Sequence, residues 1–97
     1  MKSVAELRRH LEALKPELAA VYGVSEIGIF GSYVRGEQRE RSDLDVLVEF
    51  SEPISLFRFI ELEGFLGDRL GVRVDLVMRD ALKPRIRGRI IGEVVYA

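Results

Sequence analysis

Apolar residues recur at steps of three and four through the first segment, at Val4, Leu7, Leu11, Leu14, Leu18 and Val21. That period predicts an amphipathic helix, with Ser3 placed to cap its start and Gly23 to stop it. Pro16 falls inside the pattern and is expected to kink or split the helix, because it has no N–H to donate and crowds the preceding turn. Residues 25–30 then read as a short strand, residues 32–35 as a short helix stopped by Gly36, and the wholly polar residues 37–42 as a loop. From residue 43 to residue 50 the period changes to two. Leu44, Val46, Val48 and Phe50 share one face, and Asp43, Asp45, Leu47 and Glu49 share the other. Pro53 breaks the run, and Ser55 caps a helix to about Leu70 with a broad stripe of Leu56, Phe59, Ile60, Leu62, Phe65, Leu66 and Leu70. Gly71 ends it, residues 72–77 form a third strand, and Pro84 opens a last helix through Ile86, Ile90, Ile91 and Val94. The order α-β-α-β-α-β-α predicts a small α/β sheet covered by helices.

Length and composition narrow the chemistry. The 97 residues are expected to form one domain, 1–97, with enough apolar side chains to fill a core. No apolar run is long enough for a bilayer and none reads as a leader, so the expectation is a cytoplasmic protein without membrane contact. The absence of cysteine excludes disulfides and thiolate metal sites, and a single histidine excludes a histidine-rich zinc site. Any metal must therefore be held by oxygen, which suits magnesium or manganese. A net charge of −1 argues against bulk attraction to polyanions. Arg79, Lys83, Arg85, Arg87 and Arg89 do crowd together near the end. They make no single helical stripe, so direct nucleic-acid binding is not expected and solvated surface is the plainer reading.

The chemistry concentrates in one pattern: Gly31-Ser32, ten residues, then Asp43-Leu44-Asp45 running into an apolar strand. Residues i and i+2 of a strand point to one face about 6.6 Å apart along it. Asp43 and Asp45 can thus converge on divalent ions about 3.5–4 Å apart, as phosphoryl chemistry with two metals requires. The competing reading is two solvated acids at a strand entrance. Asp75 is a third acid, flanked by Val74, Leu76 and Val77 in a strand that reads as mostly buried. A carboxylate there needs a cation or hydrogen bonds, and an arginine such as Arg73 would serve as well as a metal. Gly31 permits close backbone approach to a ligand, and a helix starting at Ser32 would aim its amides at phosphate oxygens. Ser32 could equally be a simple cap. Arg35, with Arg39 and Arg41, lies within reach of a triphosphate or is solvated loop charge. His10 reads as solvated, and Phe30 and Tyr33 as core.

These residues resemble the nucleotidyltransferase superfamily that includes the palm-type domain of DNA polymerase beta. More closely, they resemble its minimal nucleotidyltransferases, small prokaryotic proteins paired with HEPN-domain ribonucleases as antitoxin and toxin. The resemblance runs from about Val24 to the C-terminus. It implies a mixed-direction sheet of the polymerase beta palm-like type. It also implies Asp43, Asp45 and Asp75 as metal-binding and catalytic residues, with Asp75 a candidate to take the acceptor's proton. Gly31, Ser32 and Arg35 become the nucleotide-binding set. The implied cofactor is Mg2+, two ions, with Mn2+ as substitute, and the implied substrate is ATP. The implied reaction is transfer of AMP to a tyrosine hydroxyl of a partner HEPN toxin, since the chain shows no domain of its own to grip an acceptor. The alternative is an antitoxin that silences its partner by occlusion without catalysis. The wide stripe of residues 56–70 leaves room for a homo-oligomer or hetero-oligomer.

Overall fold

The computed structural model describes residues 2–97. Helix α1 (Val4–Tyr22) leads into strand β1 (Val24–Phe30), the one-turn helix α2 (Ser32–Arg35) and strand β2 (Leu44–Phe50). Helix α3 (Leu56–Leu70), strand β3 (Val74–Met78), a 3-10 turn (Arg79–Ala81), helix α4 (Pro84–Glu93) and the short strand β4 (Val95–Tyr96) complete the chain. The sheet runs β3-β2-β1-β4. β1 is antiparallel to both its neighbours and β2 is parallel to β3, so the sheet is mixed. No described helix is long and apolar enough to cross a membrane.

The caps stand where the side chains demand them. The Ser3 and Ser55 side chains accept from the Glu6 and Arg58 amides at 3.2 Å, and Gly23 and Gly71 close α1 and α3 in the left-handed conformation. Pro16 does not split α1, which is one continuous 19-residue helix. An internal proline costs about 3 kcal/mol. Each of the four buried leucines Leu7, Leu11, Leu14 and Leu18 returns about 1.5–3 kcal/mol on burial, which outweighs it. Those leucines meet Leu62, Leu66 and Leu70 of α3 and the alternating Leu44, Val46 and Val48 of β2 in the main core. The opposite face carries a smaller cluster of Phe30, Leu47, Leu82 and Ile90, supplied partly by α4.

The apolar stripes are wider than the sheet can cover. Val21, Leu56, Phe57 and Ile60 are exposed. β3 differs from expectation in a way that matters for the site. It begins at Val74, lies at the sheet edge, and leaves Asp75 exposed rather than buried. Edge strands present unpaired amides, and here the Glu63 carboxylate accepts the Leu76 N–H at 2.8 Å. Neither the 3-10 turn nor β4 is visible in the residue pattern, since each spans only two or three residues.

β4 approaches β1 closely at Gly28. A Cβ on Gly28 would stand 2.5 Å from the Val94 Cγ1 and 3.0 Å from the Val95 carbonyl oxygen. Gly28→Ala should therefore push β4 off the sheet and cost about 1–3 kcal/mol. Thermal denaturation would register this as a loss of roughly 5–15 °C.

Candidate active site

Three strands and one turn build the site. β1 ends at Phe30, and Gly31 turns the chain with φ 81° and ψ −150°, a combination open to glycine almost alone. The Gly31 carbonyl then accepts the amides of Val34 and Arg35 at 3.0 and 3.1 Å, which starts α2. Gly36, left-handed at φ 72°, ends it. The loop returns to β2 through a tight turn in which the Ser42 hydroxyl accepts the Arg39 amide at 2.8 Å.

Asp45 occupies the centre. On one side it is registered opposite Phe30 of β1, and on the other opposite Asp75 of β3. Its carboxylate abuts Gly31 so closely that a Cβ there would overlap one oxygen and stand 2.9 Å from the Asp45 Cγ. Burial pushes the Asp45 carboxyl up to about 6, and the carboxylates of Asp75 and Asp43 push the same way, while Arg35 opposes them and Glu93 adds to them. Cationic charge is what this corner lacks.

Asp43 stands one residue ahead of β2, not within it, and is exposed. Its carboxylate is paired with the Arg73 guanidinium at 3.0 Å. Arg73, one of the alternative partners for Asp75, goes to Asp43 instead, where the Leu44 amide bonds the Arg73 carbonyl at 2.8 Å. Among the described residues, no group of three or more acid, imidazole or thiol side chains is close enough to hold a metal ion. The donor set is nonetheless all oxygen, and the burial and carboxylate repulsion that raise Asp45 are both offset by a hard divalent cation. The residues fit such an ion in chemistry and charge, with Asp43 engaged elsewhere.

The model of the nucleotidyltransferase domain family matches residues 7–97, nearly the whole chain. The chain belongs to the nucleotidyltransferase domain family. Over 96 residues it is 53% identical to the protein adenylyltransferase MntA of Thermococcus cleftensis, covering 99% of this chain and 97% of that one. A solved structure assigned as a minimal nucleotidyltransferase superposes with a TM-score of 0.80 at 40% identity, over 97% of this chain and 95% of that one. The complex of a tri-AMPylated Shewanella oneidensis HEPN toxin with its MNT antitoxin shares the fold, with a TM-score of 0.63 at 20% identity over 90% of this chain and 66% of that one. The palm-like fold implied by the motif is thus the fold of this nucleotidyltransferase.

The nucleotide-binding candidates are already engaged within the chain. The Gly31 amide donates to the Glu93 carboxylate at 2.7 Å, and Arg35 bonds Glu37 at 2.7 Å and Glu93 at 3.1 Å. Ser32 sits at the start of α2, half-buried. Glu93 went unnoticed in the residue pattern, because its place beside the motif depends on a two-residue strand sixty residues downstream. Of the other arginines, Arg39 and Arg41 are exposed, Arg79 pairs with Glu49 at 3.3 Å, and Arg87 bonds the Leu82 carbonyl at 2.9 Å. His10 is exposed, and Phe30 and Tyr33 are buried.

Proposed function

We propose that this nucleotidyltransferase moves AMP from ATP to a hydroxyl, a tyrosine of a HEPN ribonuclease toxin, and acts as that toxin's antitoxin. The observation that carries the reading is Asp45, raised by burial and by its acidic neighbours and pressed against the Gly31 turn, in a chain 53% identical to a protein adenylyltransferase. The AMPylated toxin in the Shewanella oneidensis complex supports the choice of acceptor. Asp43, Asp45 and Asp75 are the residues that would hold divalent ions, read as two Mg2+ with Mn2+ as substitute. Bound there, the metal would offset charge on the triphosphate and favour the ionised acceptor oxygen.

The rest falls to the protein. Gly31 offers close backbone approach, Ser32 offers its hydroxyl and backbone amide to the phosphates, and Arg35 offers a guanidinium fork. The acceptor oxygen forms a bond to the α-phosphorus, the bond from that phosphorus to the bridging oxygen breaks, and pyrophosphate leaves with the electron pair. Asp75, exposed on the edge strand beside Asp45, would receive the hydroxyl proton. Asp43 must exchange Arg73 for its ligand, an exposed ion pair of the kind that contributes about 0–1 kcal/mol.

Intact mass of the partner toxin, after incubation with this chain, ATP and magnesium, tests the reading. Whole AMP increments that vanish with Asp43→Ala are expected. An unchanged mass with a stable complex would sink catalysis and leave neutralisation by occlusion.

A further inference from the structure

β4 pairs with β1 at Gly28↔Tyr96 and Ile29↔Val95. Glu93 closes α4 two residues before β4 begins, and its side chain lies at the Gly31 end of β1. Glu93 ends α4 and is only 21% exposed. Its carboxylate accepts the Gly31 N–H at 2.7 Å and is itself gripped by Arg35 at 3.1 Å. The far side of Gly31 is flush against Asp45. Glu93, about sixty residues from the motif turn, therefore links Arg35 to Gly31, which in turn abuts the central acid.

We infer that Glu93 is a positioning residue for nucleotide transfer: by accepting the Gly31 N–H it fastens the motif turn against Asp45, and Arg35 orients it for that purpose. This rests on the transfer reading above. The alternative use of the same contact is a plug, in which Glu93 occupies donors that ATP must win back. The fold favours fastening, because α4 packed through Ile90 on one side and β4 paired to β1 on the other keep Glu93 beside Gly31 whatever its charge. The acceptor oxygen is then the working feature, not the negative charge.

Glu93→Gln and Glu93→Met separate these roles, since both are uncharged and near the length of glutamate, and glutamine offers a strong carbonyl acceptor where methionine has only a weakly accepting thioether. Two quantities are read on the full chain: hydrogen exchange of the Gly31 amide by NMR without nucleotide, and the rate of AMP transfer. Expected are a protected Gly31 amide in the wild type and in E93Q, and exchange at least about tenfold faster in E93M. Transfer should stay within about threefold of wild type in E93Q and fall about 10- to 100-fold in E93M. Equal rates in the two variants, fast or slow, would overturn the inference. A gain in ATP affinity or rate in E93M would overturn it in favour of the plug. Should E93M fail to fold, an unprotected Gly31 amide in the wild type overturns it alone, and a protected one in both wild type and E93Q upholds it. A wild-type chain that transfers no AMP would defeat the proposed function, while amide exchange would still judge the Glu93 link.

Discussion

Asp45→Asn is expected to abolish nucleotide transfer, by on the order of 10³-fold or more, while making the folded protein more stable at pH 8. Both effects follow from one carboxylate. Asp45 alone among the three acids is registered between two strands, and burial with the charges of Asp75 and Asp43 raises it to about 6. The folded state therefore favours the protonated acid, whereas an unfolded aspartate ionises near pH ~3.9. Below about pH 4 the group is neutral in both states and makes no difference to stability. Between about pH 4 and 6 only the unfolded chain gains by ionising, so the cost to folding grows, and above about 6 it is fully present. Solvent reaches part of the group, so the cost at pH 8 is on the order of 1 kcal/mol after screening. Asparagine removes it. Melting curves should show the variant ahead by roughly 5 °C at pH 8, with the gap closing toward pH 4. Added magnesium should raise the wild-type midpoint and leave the variant's in place, because only the ionised carboxylate gains by holding a cation. A destabilised variant, or one that keeps transferring AMP, would sink the account of this residue.

Gly31→Ala should be the most damaging change of a single methyl group in the chain. Two penalties coincide at this position. The backbone sits at φ 81° and ψ −150°, where a side chain costs about 1–3 kcal/mol. The new Cβ would also overlap the Asp45 carboxylate, which cannot retreat without leaving its place between Phe30 and Asp75. A loss of about 2–4 kcal/mol is expected, enough to lower the midpoint by roughly 10–25 °C. Transfer should fall about 100-fold or more at temperatures where the variant remains folded, since the displaced acid is the central one. Gly36→Ala is the control. Gly36 shares a positive φ, yet has open space where its Cβ would stand, so the strain should appear without the loss of transfer. Equal effects of the two substitutions on transfer would show that Gly31 matters only as a turn.

Several features were readable from single residues because the forces behind them are local. Ser3, Gly23, Ser55 and Gly71 satisfy helix ends within four residues of themselves, so their roles need no knowledge of the fold. Alternation along residues 44–50 sorts apolar from acidic side chains by geometry alone, and both faces are found as the pattern has them. Pro16 misled because propensity is a weak preference that a buried stripe overrides. Asp75 misled for a different reason. Its apolar neighbours Val74, Leu76 and Val77 read as a mostly buried strand, yet the strand lies at the edge with Glu63 covering one amide and solvent reaching the acid.

The sequence by itself determined the four helices and the first three strands, the caps of α1 and α3, the Gly-Ser and Asp-x-Asp motif, and the family they announce. Each depends on residues a turn or a pleat apart, where periodicity and capping act. Tertiary structure alone decided which distant groups meet. Strand order put Asp75 beside Asp45, the Leu44–Arg73 hydrogen bond gave Arg73 to Asp43, and the docking of α4 and β4 beside β1 carried Glu93 to Gly31. Such meetings depend on which strands become neighbours and in what register, and a pairing between segments sixty residues apart leaves no period in the chain to read.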